Sequence, residues 1–465
     1  MKIPRKTQFP QKPQLPPLLN DRQFYRSLFA LTIPIMLQTL VNSLVNTVDT
    51  IMIGRLGTVE IAAVGLGNQI FFLYHLFLFG ICSGGAIFTA QFWGMRDIPG
   101  IRKNMGFCIT LNLATAIVFT LASALIPEQL IGVYSRDEEV IRSGAAYLRT
   151  LSPSFIPFAI SLGFTLTLRS VEKVRLAIVV TVLSLSLNVI LNYLFIFGAG
   201  TIPAMGVKGA ALGTVISRLV ETVILVGASY ILKYVPAGSI RELFNFNLPY
   251  AFQFFRITLP VIVNEMLWSL GITAQNVIFA RTNTDAIAAF NITSTVSQLT
   301  FVIFIGLGNA VAVLIGKKIG EKDETAARDY ASRMVRFAPI LSIGMAMILI
   351  PLALLLPFAF NVSRQTLLAA SQMFLILGCS YPLRAFNHIM VIGICRAGGD
   401  TVFCAIYDIA VLWLVTLPMM ALAAFVFQMP VWVIYLCVTL EQPFKAPFGI
   451  WRFRSGKWLH HVTTA

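Results

Sequence analysis

Apolar runs long enough to cross a bilayer recur from one end of this chain to the other. A helix needs about 20 such residues to span the hydrocarbon core, and only helices or closed barrels satisfy their backbone there. The runs fall near 28–54, 61–92, 105–126, 144–168, 174–198 and 206–232, then, after a polar break at 233–256, near 257–280, 286–316, 335–358, 368–395, 402–427 and 430–451. A barrel would show alternation in pieces of about 10 residues, which the sequence lacks. The expected fold is an all-α membrane protein of twelve transmembrane helices. Composition agrees: 57% of the 465 residues are hydrophobic and 12% charged, too little polar surface for a soluble chain of this length.

The net charge of +15 raises the question of a nucleic-acid partner, and its distribution answers it. Lys and Arg gather in alternate loops: Lys2, Arg5, Lys6 and Lys12; Arg96, Arg102 and Lys103; Arg169, Lys173 and Arg175; Lys317 to Arg336; and Arg452, Arg454 and Lys457. The opposite loops hold few, among them Arg55, Lys208, Arg281 and Arg364. The positive-inside rule then predicts both termini in the cytoplasm, with the bilayer as partner and no nucleic acid. Residues 1–27 read as a polar cytoplasmic tail and not as a cleavable signal, because the apolar run behind them is too long. Residues 453–465 read as a second cytoplasmic tail. Six cysteines all lie in apolar runs without a CxxC pair and are expected to be buried and unremarkable chemically.

The chain repeats itself. At an offset of 226, Pro34 matches Pro260, Arg55 matches Arg281, and Thr58 matches Thr284. Gly80 matches Gly306, Gly94 matches Gly320, Asp97 matches Asp323, and Arg102 matches Arg328; at 227, Arg169 matches Arg396. Six spans per half is an even number, so both halves start on the same side. The result is a parallel repeat: a lobe at 28–232, a connecting cytoplasmic loop at 233–256, and a lobe at 257–452. Two lobes around a central cavity, rocking between two openings, is the architecture this predicts.

Ionisable residues inside spans are costly and usually face a partner or a cavity. Asp49 closes a polar stripe with Gln38, Asn42 and Asn46 on one face of the first helix, and Thr181, Ser184, Asn188 and Asn192 form a second on the fifth. Either a hydrated site with Asp49 as its titratable member or an interhelical hydrogen-bond network accounts for these stripes. Glu265 heads a stripe with Ser269 and Asn276 on the seventh helix. Arg384 and His388 share a face of the tenth with Ser380, and Asp408 lies on the eleventh. Arg384 is expected to pair with Glu265, Asp408 or Glu441, and Glu441, before Pro443 and Lys445, reads as a snorkelling interface acid. No HExxH, GxSxG or Walker A motif is present, so the chain reads as a transporter and not an enzyme, and any drive comes from an ion gradient.

Several stretches then resemble the multidrug and toxin extrusion family: LTIPIMLQTLVNSLVNTVDTIMIGRLGTVEIAAVG, LRSVEKVRLAIVVTVLSLSLNVILNYLFIFG, LPVIVNEMLW, GKKIGEKD and CRAGGDT. The likeness covers roughly residues 25–460. It implies two lobes of six helices and a secondary active antiporter of the plasma (inner) membrane. Such a protein exports amphipathic, mostly cationic organic compounds in exchange for Na+ or H+, with no cofactor beyond the coupling ion, and one chain is expected to work as a monomer. By this resemblance Asp49 is the cation-coupling residue of the first lobe with Asn188 beside it, and Asn192 stands where some archaeal members carry Asp. Glu265 matches the seventh-helix acid of the branch with Na+-coupled exporters, which makes Asp49 or Glu265 the candidate Na+ ligand. The tenth-helix Asp of some of those exporters has no counterpart in Tyr381–His388, and Asp408 is the candidate substitute. Trp268 is a candidate aromatic surface for a cationic drug. The alternative reading is a flippase of lipid-linked oligosaccharides or lipids from the same wider superfamily, which would call for a cavity rich in Arg and Lys.

Overall fold

The computed structural model describes residues 21–359 and 363–463. Twelve long helices run among them: α1 (Arg22–Gly54), α2 (Thr58–Gly94), α3 (Ile98–Leu125), α4 (Glu138–Ser170), α5 (Val174–Phe197), α6 (Val207–Ile231), α7 (Leu248–Thr282), α8 (Thr284–Gly320), α9 (Glu324–Ala359), α10 (Arg364–Arg396), α11 (Thr401–Val426) and α12 (Val431–Ser455). Eleven are long and apolar enough to cross a membrane; α12 has the length but carries Glu441, Gln442 and Lys445 mid-helix. Helices extend past the apolar runs where polar caps hold their ends. Asp21 starts α1 before residue 28, and Asn247 starts α7 at 248, inside the stretch read as a loop. Lys2, Arg5, Lys6 and Lys12 lie outside the described residues.

The repeat is visible in backbone detail. Asp97 and Asp323 each accept a main-chain N–H three residues on, from Gly100 at 2.9 Å and Ala326 at 3.0 Å, and so cap α3 and α9. Just before them, Arg96 and Lys322 take the same left-handed turn, φ 59° and 60°. Pro34 and Pro260 sit inside α1 and α7, where each removes one helical hydrogen bond. α10 closes with a π-helical turn at Ile389–Arg396, a wider form that often marks functional sites.

The side from which α1 starts is called near and the opposite side far. The lobes meet through α1 against α8 and α7 against α2, pairs that exchange under the repeat. The contacts are reciprocal as a two-fold demands. A Cβ on Gly80 would meet Ile262 at 2.9 Å, and one on Gly306 would meet Met36, the match of Ile262, at 3.3 Å. Gly94 packs on the Lys317 carbonyl and Gly320 on that of Gln91. These glycines leave no room for a side chain, and all lie toward the near side. Farther along, α1 and α2 leave Leu44, Ile51 and Phe72 exposed.

Among the described residues, one near-side contact has no copy. After α12 the chain turns at Gly456 and residues 458–462 seat across both lobes. Trp458 is buried against Gly398, and the His460 N–H donates to the Gly398 carbonyl at 2.8 Å. Gln91 of α2 donates to the His460 carbonyl at 3.0 Å and accepts from the Val462 N–H at 2.9 Å. The matching position of Gln91 in the second lobe, Lys317, instead reaches back to Glu172 of the first at 2.7 Å. Of the six cysteines, all free thiols, Cys379 is exposed and the others are buried, contrary to the uniform burial expected.

Candidate functional site

The stripes on α1 and α5 face each other. Asp49 Oδ1 accepts from Asn192 Nδ2 at 2.9 Å, and Asn192 also donates to Asn188 Oδ1 at 3.2 Å. Asn188 donates to Thr214 of α6 at 3.3 Å. Asn188 and Asn192 are buried, Asp49 is half-buried, and the group lies toward the far side. Asn46 on the same stripe is exposed and Asn42 half-buried.

Nearer the middle of α1, Gln38 donates to Thr181 at 3.0 Å, and Thr181 donates to Glu221 of α6 at 3.3 Å. Glu221 is buried and bound to Arg218 at 2.7 Å. Glu221 is not among the acids that the sequence stripes bring forward. The signal that could have found it is the i, i+3 spacing from Arg218, which lets the pair satisfy itself within one helix.

The second lobe treats its acids differently. Asp408 accepts from Lys445 of α12 at 2.6 Å and from Asn264 of α7 at 3.5 Å. Lys445 also binds Glu441 one turn back, so a single buried ammonium serves two carboxylates. Glu441 is therefore an internal ion-pair member and not a snorkelling residue, because its i, i+4 spacing to Lys445 gives it a partner inside the bundle. Glu265 accepts from Arg396 Nη1 at 2.8 Å. Arg396 ends the π turn of α10, and its match to Arg169 was legible in the repeat although its pairing was not.

Arg384 pairs with none of the acids proposed for it. It donates to Ser297 Oγ at 2.6 Å and lies over the Phe301 ring at 4.2 Å, so a hydroxyl and an aromatic face solvate it. The nearer cations Arg396 and Lys445 already hold the acids. His388 packs edge-on against the same ring at 5.1 Å, with Nε2 buried and without a hydrogen bond. Asn276 turns back onto the Ile272 carbonyl of its own helix at 3.1 Å. Ser269 is half-buried, and Trp268 is exposed at 42%.

Among the described residues, then, Asp49 is the acid within the apolar length of the helices that makes no ion pair; Glu221, Glu265, Asp408 and Glu441 each have a cation. A carboxylate held by one amide N–H keeps lone pairs free to take a proton or a small cation. A carboxylate on a buried Lys or Arg is already neutralised.

A family model described as MatE matches residues 34–194 and 260–437, one stretch in each lobe. The chain is 25% identical over 441 residues to a probable multidrug resistance protein NorM of Thermotoga maritima, covering 93% of each chain. It is 25% identical over 414 residues to the multidrug resistance protein MdtK of Edwardsiella ictaluri, covering 84% of this chain and 86% of that one. A crystal structure of MATE in complex with MaL6 superposes with a TM-score of 0.85 at 18% identity, over 95% of this chain and 98% of the other.

Proposed function

Because this chain belongs to the MatE family, the multidrug and toxin extrusion transporters, we propose that it is an ion-coupled multidrug exporter driven through Asp49. The observation that carries this is the unpaired state of Asp49 beside Asn192 and Asn188. The near side is the cytoplasmic one, by its Lys and Arg content, and the protein sits in the plasma membrane with both termini inside. The lobes touch toward that side, which supports reading the conformation as open to the exterior.

From the exterior, a proton reaches Asp49 and removes its charge, or Na+ binds the carboxylate and offsets it. Asn192 then loses its ionic acceptor, and its bonds to Asn188 and through it to Thr214 of α6 re-form. This changes the relative energy of two packings of α1, α5 and α6, and a ligand shifts such an equilibrium only by its different affinity for the two states. The paired acids of the second lobe stay fixed and hold that bundle rigid. Amphipathic organic cations are the expected cargo, taken up against aromatic surfaces such as Trp268 and released outward as the ion enters. No cofactor takes part, and one chain carries the whole cycle.

The test is efflux of a fluorescent organic cation from vesicles, with a Na+ gradient and a pH gradient imposed separately. One gradient is expected to drive efflux in the wild type, and Asp49→Asn is expected to abolish it. Unchanged efflux by the variant would overturn the role of Asp49. If neither gradient moves the dye in the wild type, export of organic cations is refused and lipid flipping becomes the reading to test.

A further inference from the structure

Between the lobes on the near side lies a cavity of about 50 Å³ that the coupling site does not use. Its polar lining comes from Arg169 and Ser170 of α4, Ser83 of α2, Asn309 of α8 and Arg396 of α10. The two arginines are the pair matched at an offset of 227, so the repeat brings one guanidinium from each lobe to a shared cavity.

Their partners do not balance their charge. Arg169 donates to two neutral amide oxygens, Gln38 Oε1 at 3.2 Å and Asn309 Oδ1 at 3.4 Å, and among the described residues it makes no ion pair. The acid next in that chain of bonds, Glu221, is held by Arg218. Arg396 is 4% exposed and spends Nη1 on both Glu265 and Ser83, at 2.8 and 3.1 Å. Its Nε is buried without a partner. Two guanidiniums, which stay charged at any physiological pH, thus share one carboxylate, and the lining keeps one net positive charge. Arg169, half-buried, thus carries its charge into the cavity without a counter-charge, an arrangement that an anion would relieve.

We propose that this cavity is a binding site for one small monovalent anion, held between Arg169 and Arg396. Size sets the class. A water needs about 10–15 Å³ of such space and drug-sized ligands occupy cavities of about 300–1,000 Å³, so a halide or formate fits and an organic cargo molecule does not. Net charge sets the valence. Because Arg169 and Arg396 come from different lobes, the anion joins them across the interface and leaves when they separate.

The experiment uses the purified full chain in detergent. Sodium gluconate is exchanged stepwise for NaCl, NaBr or sodium formate at constant Na+ and ionic strength, and in a separate arm for sodium sulfate at constant ionic strength, and Tm is read. The wild type is expected to rise by several degrees and saturate with the monovalent ions, halide and formate arms showing which is preferred. Arg169→Gln is expected to give a flat line. Should that variant not fold, Arg169→Lys, which keeps the charge but not the fork, is expected to need about tenfold more anion, a 1.4 kcal/mol weakening. Crystals soaked in bromide are expected to show an anomalous peak between the two guanidiniums. A wild-type Tm indifferent to halide and formate, a response to sulfate alone, an undiminished response in Arg169→Gln, or the absence of a bromide peak would each overturn the site. None of these readouts needs transport, so the proposal stands or falls apart from the coupling role of Asp49.

Discussion

Where α1 of the first lobe carries Asp49 against an amide, the matching place on α7 carries Gln275, and the acids of the second lobe, Glu265 and Asp408, face Arg396 and Lys445. One backbone plan thus holds two electrostatic designs. A half-buried acid on a buried cation is neutral as it stands and resists change, since removing either partner strands the other. An acid on an amide stays open to an incoming cation. A duplicated bundle needs one responsive lobe and one firm lobe if ion binding is to move one against the other, and the pairing divides them in that way.

The division can be broken most severely at Lys445. Lys445→Met leaves Asp408 and Glu441 unpaired inside the second lobe and is expected to cost about 3–5 kcal/mol, read as a fall in Tm. Adding Asp408→Asn and Glu441→Gln is expected to recover most of that loss. If the single variant keeps its Tm, the second lobe does not rest on this ion cluster. Asp49→Asn is the contrasting case: its amide keeps the shape of the side chain, so stability is expected to change by less than about 0.5 kcal/mol while coupled efflux disappears. A large drop in Tm would make Asp49 structural and erase the contrast. Asn192→Asp places a second carboxylate next to Asp49, 2.9 Å away in the present pair. Two like charges so close favour a shared cation, so the ion concentration for half-maximal efflux is expected to fall. Gly320→Ala puts a methyl onto the Gln91 carbonyl and is expected to weaken near-side closure, raising labelling of near-side cavity cysteines introduced for the purpose. The smallest effect concerns the connection between the lobes. Ser239 caps a short turn there, and Glu242 is held below the ordinary glutamate range first by the Ser239 backbone N–H, then by its hydroxyl and by Arg102 at 2.8 Å. A lowered carboxylate stabilises above its unfolded value of about 4.3 and loses its contribution as pH falls below it. Pepsin cleavage of residues 233–247 is therefore expected to rise across that window, and less so in Glu242→Gln, which has no titration to lose.

The spans, the repeat and the first-lobe polar stripes were legible because each is written locally. Apolar length sets a span, identical spacing sets a repeat, and Gln38, Asn42, Asn46 and Asp49 fall on one face by helical period alone. Pairings between distant helices were less legible. Nothing in the spacing of Arg384 says that Ser297 and Phe301 will solvate it, nor that Arg396 will reach Glu265 across 131 positions of sequence. The partner of Glu441 could have been read from its i, i+4 distance to Lys445, although Glu441 by itself read as a snorkelling interface acid. Where several cations compete for few acids, three-dimensional packing decides, and helical period carries no record of it.

On the cycle proposed above, the segment after α12 would make parting the lobes cost more on one side than on the other. Trp458, His460 and Val462 clasp Gly398 and Gln91 from outside the duplicated body, so parting the lobes on that side means peeling away this segment as well as separating two faces. Parting them on the opposite side needs no such step. In kinetic terms the segment would belong to the barrier of that proposed cycle and not to a cargo site: its loss is expected to change how often the protein turns over and not what it carries.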